Sequence, residues 1–217
     1  MYYGVSQYYD RRIGRVFGGE FGQLLISALI VAIAFSVREI ISLNYLKVLA
    51  VIVAVAFAFI SHEILHRYVA KRLGYYAKYQ VWPTGLMLAL VLSVVTLGRV
   101  VFAAPGAVVV FPKFPFGIID RRDYGKIAAS GPLANIILGY IALVVLEIFP
   151  TEFPSIFAYF TLITLIYMKT INLWLALFNL IPFPPLDGSK VFAWSKTIWA
   201  MMFISAATPL FILPLVL

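Results

Sequence analysis

Seven uncharged stretches of at least fourteen residues dominate this chain of 217: 21–37, 48–61, 81–98, 127–146, 153–168, 170–186 and 197–217. A helix that crosses the hydrocarbon core of a bilayer needs about 20 mostly apolar residues, and most of these stretches qualify. A soluble domain of this length has no means of hiding so much apolar surface, because a large share of any folded surface stays wet. The composition agrees, with 63% of residues hydrophobic and 12% charged, against roughly half and about a quarter in ordinary globular domains. An ordinary soluble protein, a disordered chain and a collagen-like fibre are excluded. The expected fold is an all-α polytopic membrane protein with about five or six transmembrane helices, forming one domain over 1–217. The two stretches flanking Lys169 make one crossing, with Lys169 snorkelling toward the outer headgroups.

Charge orients the spans. Lys and Arg number 17 and Asp and Glu 9, a formal net charge of +8. The basic residues lie between apolar runs, which points to anionic lipid headgroups as the partner rather than nucleic acid. Arg11, Arg12 and Arg15 place the N-terminus in the cytoplasm, and no apolar core of a cleaved signal peptide precedes them. Arg67, Lys71, Arg72 and Lys78 mark the same side, as do Lys190 and Lys196. The loop 149–155 carries Glu152 and no Lys or Arg, so it faces out. The stretch 81–98 breaks the alternation, since Lys113, Arg121, Arg122 and Lys126 follow it. A re-entrant hairpin keeps both flanks inside; a true crossing with a weak charge signal is the alternative. There is no cysteine, so neither a disulfide framework nor a thiolate ligand is available.

One short pattern carries chemistry. Ser61-His62-Glu63-Ile64-Leu65-His66 is an HExxH sequence inside an apolar helical run. Residues i and i+4 stack on one helix face, so His62 and His66 can aim ring nitrogens at one cation. Glu63 follows the first ligand and can act as general base on a water at the metal. The chain has 2 histidines in all, and both fall here, beside a carboxylate at membrane depth where ionisable groups are costly and functional by default. The bland reading is a chance pair packed in a core.

Two histidines leave a catalytic zinc one protein ligand short. Asp10 and Glu20 lie in the N-terminal tail. Glu39, Glu147 and Glu152 lie on the outer side. Asp120 and Asp123 sit among basic residues in a loop. By elimination the third ligand is Asp187, whose alternative is a solvated residue in a membrane-exit loop. Prolines 182, 184 and 185 unwind the chain before it, which lets the carboxylate turn inward. With the re-entrant reading of 81–98, Asp187 and the histidines fall on the same side of the membrane.

HEILH, Gly131-Pro132-Leu133-Ala134-Asn135 opening a later helix, and Asn179-Leu-Ile-Pro-Phe-Pro-Pro-Leu-Asp187-Gly188 together resemble the site-2 proteases, the intramembrane zinc metalloproteases. The resemblance covers about His62 to Lys190. It implies one zinc per chain held by His62, His66 and Asp187, with Glu63 as general base. It also implies a role for Asn135 near the scissile carbonyl, and transmembrane proteins as substrates. Asn179 and Asn172 match asparagines of the family's Asp-bearing segment. No PDZ or CBS region, which many members carry, is present in the chain. A side-chain amide such as Asn135 can donate to an oxyanion or tie helices together. Gly131 and Pro132 suit a first helical turn. Asn179 is read as supporting the site and Asn172 as packing. Residues 100–110, rich in β-branched side chains and broken at Pro105-Gly106, suggest a short hairpin or kinked strand. The resemblance places an edge strand there beside the active site, where a substrate can add as a strand; a strand that merely covers the cavity is the alternative. The rival function is a zinc transporter or metal-binding membrane protein, which would favour several relayed sites.

Overall fold

The computed structural model describes residues 19–212 except 103, 113, 115, 116 and 149–154. Arg11, Arg12, Arg15, Lys113 and Glu152, used above to orient the chain, lie outside the described residues. Helix α1 (Glu20–Ile41) and helix α2 (Tyr45–Arg72) form an antiparallel pair. Asn44 caps α2 by accepting from Lys47 N at 3.1 Å. Strand β1 (Tyr76–Val81), helix α3 (Pro83–Val95) and strand β2 (Gly106–Phe111) follow. Helices α4 (Arg121–Ile148), α5 (Ile156–Asn179), α6 (Asp187–Trp194) and α7 (Lys196–Ala207) come next, the last running into a π turn at Thr208–Ile212. Helices α1, α2, α4 and α5 are long and apolar enough to cross a membrane, so the chain is a multi-pass helical membrane protein with a small β element. Lys169 lies inside the single helix α5, and the stretch 197–217 forms α7 and the π turn as far as it is described.

Small residues let the long helices approach closely. Ala54 and Ala58 of α2 are fully buried against Ala28, Val31 and Ala32 of α1, the small-residue packing that suits lipid, where apolar bulk gives no driving force between helices. The prolines after Asn179 end α5 because proline donates no N–H and clashes with the preceding turn. The freed Leu180 carbonyl accepts from Trp199 Nε1 at 2.6 Å.

The two strands pair antiparallel, Tyr76 with Phe111 through Val81 with Gly106. β1 was not anticipated: Tyr76–Val81 carries Lys78 and Gln80, which mask its alternation of buried Ala77, Tyr79 and Val81. Its other edge is closed by side chains of α1. Glu20 Oε1 accepts from Tyr79 N at 2.9 Å and from Arg67 Nη1 at 3.1 Å. Gln23 Oε1 accepts from Val81 N at 3.1 Å, and Ser27 Oγ accepts from Tyr79 OH at 2.9 Å. Glu20 is therefore a structural part of α1 and the sheet, not a tail residue.

Helix α3 has 13 residues and is about 20 Å long at 1.5 Å per residue, short of the ~30 Å hydrocarbon core. It leaves the sheet after Val81 and runs beside α1, with Ala34 and Ala89 both fully buried and Ser93 Oγ donating to Ala34 O. At its end Gly98 adopts φ +75° against Arg38, where a Cβ would meet the Arg38 backbone at 2.8 Å. The chain then returns to Gly106, the neighbour of Val81. The excursion 82–105 thus begins and ends at the same place in the sheet.

Helix α4 starts earlier than the sequence suggests. Asp120 Oδ1 accepts from Arg122 N and Asp123 N at 2.8 and 3.2 Å, the role of an N-cap. Asp123 therefore sits in the first turn, not in a loop. Pro132 falls inside the helix, not in its first turn as expected.

Candidate metal centre

Helix α2 stacks His62 and His66 one turn apart, and both are about 95% buried. Their Nε2 atoms stand 3.0 Å apart. Asp187, the first residue of α6, brings Oδ2 to 3.3 Å from His62 Nε2 and 3.0 Å from His66 Nε2. The three side chains form the group able to hold a metal ion among the described residues. Ligand atoms of a tetrahedral zinc at about 2.0–2.1 Å lie about 3.3–3.4 Å from one another, close to the edges of this triangle.

The hydrogen bonds behind the rings decide what the triangle contains. His66 Nδ1 lies 2.7 Å from Ile127 O, a carbonyl that only accepts, so His66 Nδ1 donates. His62 Nδ1 lies 2.7 Å from Asn135 Oδ1 and donates likewise. In the neutral rings both Nε2 atoms then present lone pairs, and Asp187 Oδ2 adds a third acceptor. A shared proton satisfies one edge of such a triangle; a metal cation satisfies all three corners. Rings with Nδ1–H tied to an acceptor behind them are the usual form of metal-ligating histidine. Lys190 Nζ donates to Asp187 Oδ1 at 3.3 Å and to Pro185 O at 3.0 Å.

The centre opens onto a cavity of about 450 Å³. His62, Glu63, His66, Asn179 and Asp187 line it, together with Pro105 and residues 106–110. Glu63 is 6% exposed, and its Oε2 is buried without a hydrogen-bond partner, free to accept from a water in the cavity. β2 has no strand partner other than β1 among the described residues. Gly131 brings the bare backbone of α4 against the ring nitrogens.

Asn135 is brought to the centre but not to the cavity. It is fully buried, and both its amide hydrogens are engaged, with Ala58 O at 2.8 Å and Asn172 Oδ1 at 3.0 Å. The expected contact with a scissile carbonyl thus has no free donor here; the residue stands behind His62. Asn172, read from sequence as packing, belongs to the same network. The sequence reading passed over Ser130, whose Oγ donates to Ile127 O at 2.7 Å beside His66, and Lys190. No sequence pattern marks a backbone carbonyl as a partner; Lys190, three residues from Asp187 on a helix, was in principle detectable by spacing.

No family model matches the chain, and no solved structure matches it. A protein of Methanocaldococcus jannaschii named as a putative zinc metalloprotease is 35% identical over 183 residues, 84% of this chain and 88% of the relative. With that identity along nearly the whole of both proteins, the chain belongs to the metalloprotease family of this relative.

Proposed function

We propose that the protein is an intramembrane zinc metalloendopeptidase of the site-2 protease type, which hydrolyses peptide bonds within or beside transmembrane segments of membrane-protein substrates. One observation carries the reading. A triangle of metal-ligand atoms and a glutamate oxygen without a hydrogen-bond partner line one cavity with a strand that has no second strand partner among the described residues, all within a set of helices able to span a membrane.

His62, His66 and Asp187 would hold the ion. Bound there, zinc would supply Lewis-acid chemistry for the scissile carbonyl and would lower the pKa of a water toward about 7. Glu63 accepts the proton of the attacking water and delivers it to the leaving amine. A helical substrate must unwind before its peptide bond is reachable, and β2 offers a free edge on which extended chain can hydrogen-bond. Asn179, Pro105 and Gly106 shape the walls it passes. The segment 82–105 re-enters rather than crosses, so the N-terminus, the basic loops and the centre share the cytoplasmic side.

A zinc transporter remains the rival from another class, and the single ligand cluster among the described residues favours the protease. Cleavage of a transmembrane reporter by purified protein in detergent, with and without chelator, tests the reading. Glu63→Gln is expected to keep its metal and lose 10²–10⁴ in rate, the usual worth of a general acid–base group. His62→Ala is expected to lose both. Wild-type rates in Glu63→Gln, or zinc flux without cleavage, would overturn it.

A further inference from the structure

We infer that Asn172 and Asn135 form a one-way relay that fixes the tautomer of His62, and with it the lone pair that His62 offers the metal. This rests on the metal-centre reading above. The direction starts at two backbone carbonyls, which only accept. Asn172 Nδ2 donates to Met168 O at 2.8 Å, one turn back on α5. Its Oδ1 is thereby turned toward Asn135 and accepts from Asn135 Nδ2 at 3.0 Å. The same nitrogen donates to Ala58 O on α2 at 2.8 Å. Only Asn135 Oδ1 is left to face His62, so the proton sits on His62 Nδ1, at 2.7 Å.

A reversed Asn135 amide would set its oxygen against Ala58 O and Asn172 Oδ1, acceptor against acceptor, and would aim N–H at His62. The ring would then carry its proton on Nε2, the atom that must bind metal. Both asparagines are 0% exposed, so water does not relieve a misplaced amide, and unmet polar groups are costly at membrane depth. His66 needs no relay, because Ile127 O fixes its ring directly. The relay spans α2, α4 and α5 and makes Asn135 and Asn172 positioning residues.

The test measures zinc affinity by competition with a chromophoric chelator. Asn135→Leu is expected to weaken zinc 10–100-fold, as loss of such a partner behind a ligand typically does, and Asn172→Leu about tenfold. Because Asn172 acts through Asn135, the double variant is expected to bind no more weakly than Asn135→Leu alone. The chain has 2 histidines, so ¹⁵N-histidine labelling of metal-free protein gives a spectrum of four ring nitrogens. The His62 Nδ1–H form is expected in wild type, and a mixture with Nε2–H in Asn172→Leu. Losses that multiply in the double variant, or unchanged affinity and tautomer in Asn172→Leu, would overturn the relay while leaving the protease reading intact. Wild-type protein without zinc affinity would overturn both.

Discussion

Gly131 lies so near His62 that a Cβ on it would stand 2.7 Å from His62 Nε2, and it would stand closer still to His66 Nε2. The methyl of Gly131→Ala would occupy space against both ligand nitrogens. The expected outcome is a folded helical protein whose zinc content drops from about one per chain to a small fraction of that. Metal analysis beside circular dichroism checks it. Gly19→Ala, where a Cβ meets nothing within 4 Å, is the control.

The free edge of the sheet has a definite register. Tyr79 N and Val81 N are taken by Glu20 and Gln23, so Lys78 and Gln80 are the β1 residues that bond to β2. Their partners are Val109 and Ala107. In an antiparallel pair the bonding alternates, so the main chain of Val108 and Val110 points away from β1. Val108→Pro is expected to keep zinc and the sheet while lowering kcat/KM on a transmembrane reporter by about tenfold, the scale of one or two lost hydrogen bonds. Val109→Pro is expected to disrupt the sheet itself. Equal cleavage by wild type and Val108→Pro would argue against substrate addition at this edge.

Gln23→Leu removes the acceptor for Val81 N at a buried position. Leaving that N–H unmet costs about 1–3 kcal/mol. A lowered thermal midpoint with metal content unchanged at low temperature is expected, read by differential scanning fluorimetry in detergent.

Lys190 holds Asp187 Oδ1 while Asp187 Oδ2 faces the histidines. Lys190→Met frees the carboxylate to turn. Zinc affinity is expected to fall about 10–100-fold, with Lys190→Arg closer to wild type; chelator competition measures both.

Much of the centre could be read from the chain. The pairing of His62 with His66 follows from helical stacking alone, and Glu63 comes with it. Asp187 followed from elimination and from the prolines that unwind its segment, and the structure brings it to the two rings. What escaped was the polar strand Tyr76–Val81, whose alternation is blurred by Lys78 and Gln80, and the start of α4, whose Asp120 cap hides among basic residues.

Apolar run length and i, i+4 spacing are local properties that no distant contact can undo, so the membrane class and the pairing of His62 with His66 are legible in the chain before it folds. The tertiary structure alone decided the work of Asn135. Its amide could serve an oxyanion or a neighbouring helix, and only the position of Ala58 O, Asn172 and His62 around it consumes every donor and acceptor. Those partners lie up to 77 residues away. A hydrogen bond is made by atoms that meet in space, and which atoms meet is set by how α2, α4 and α5 pack.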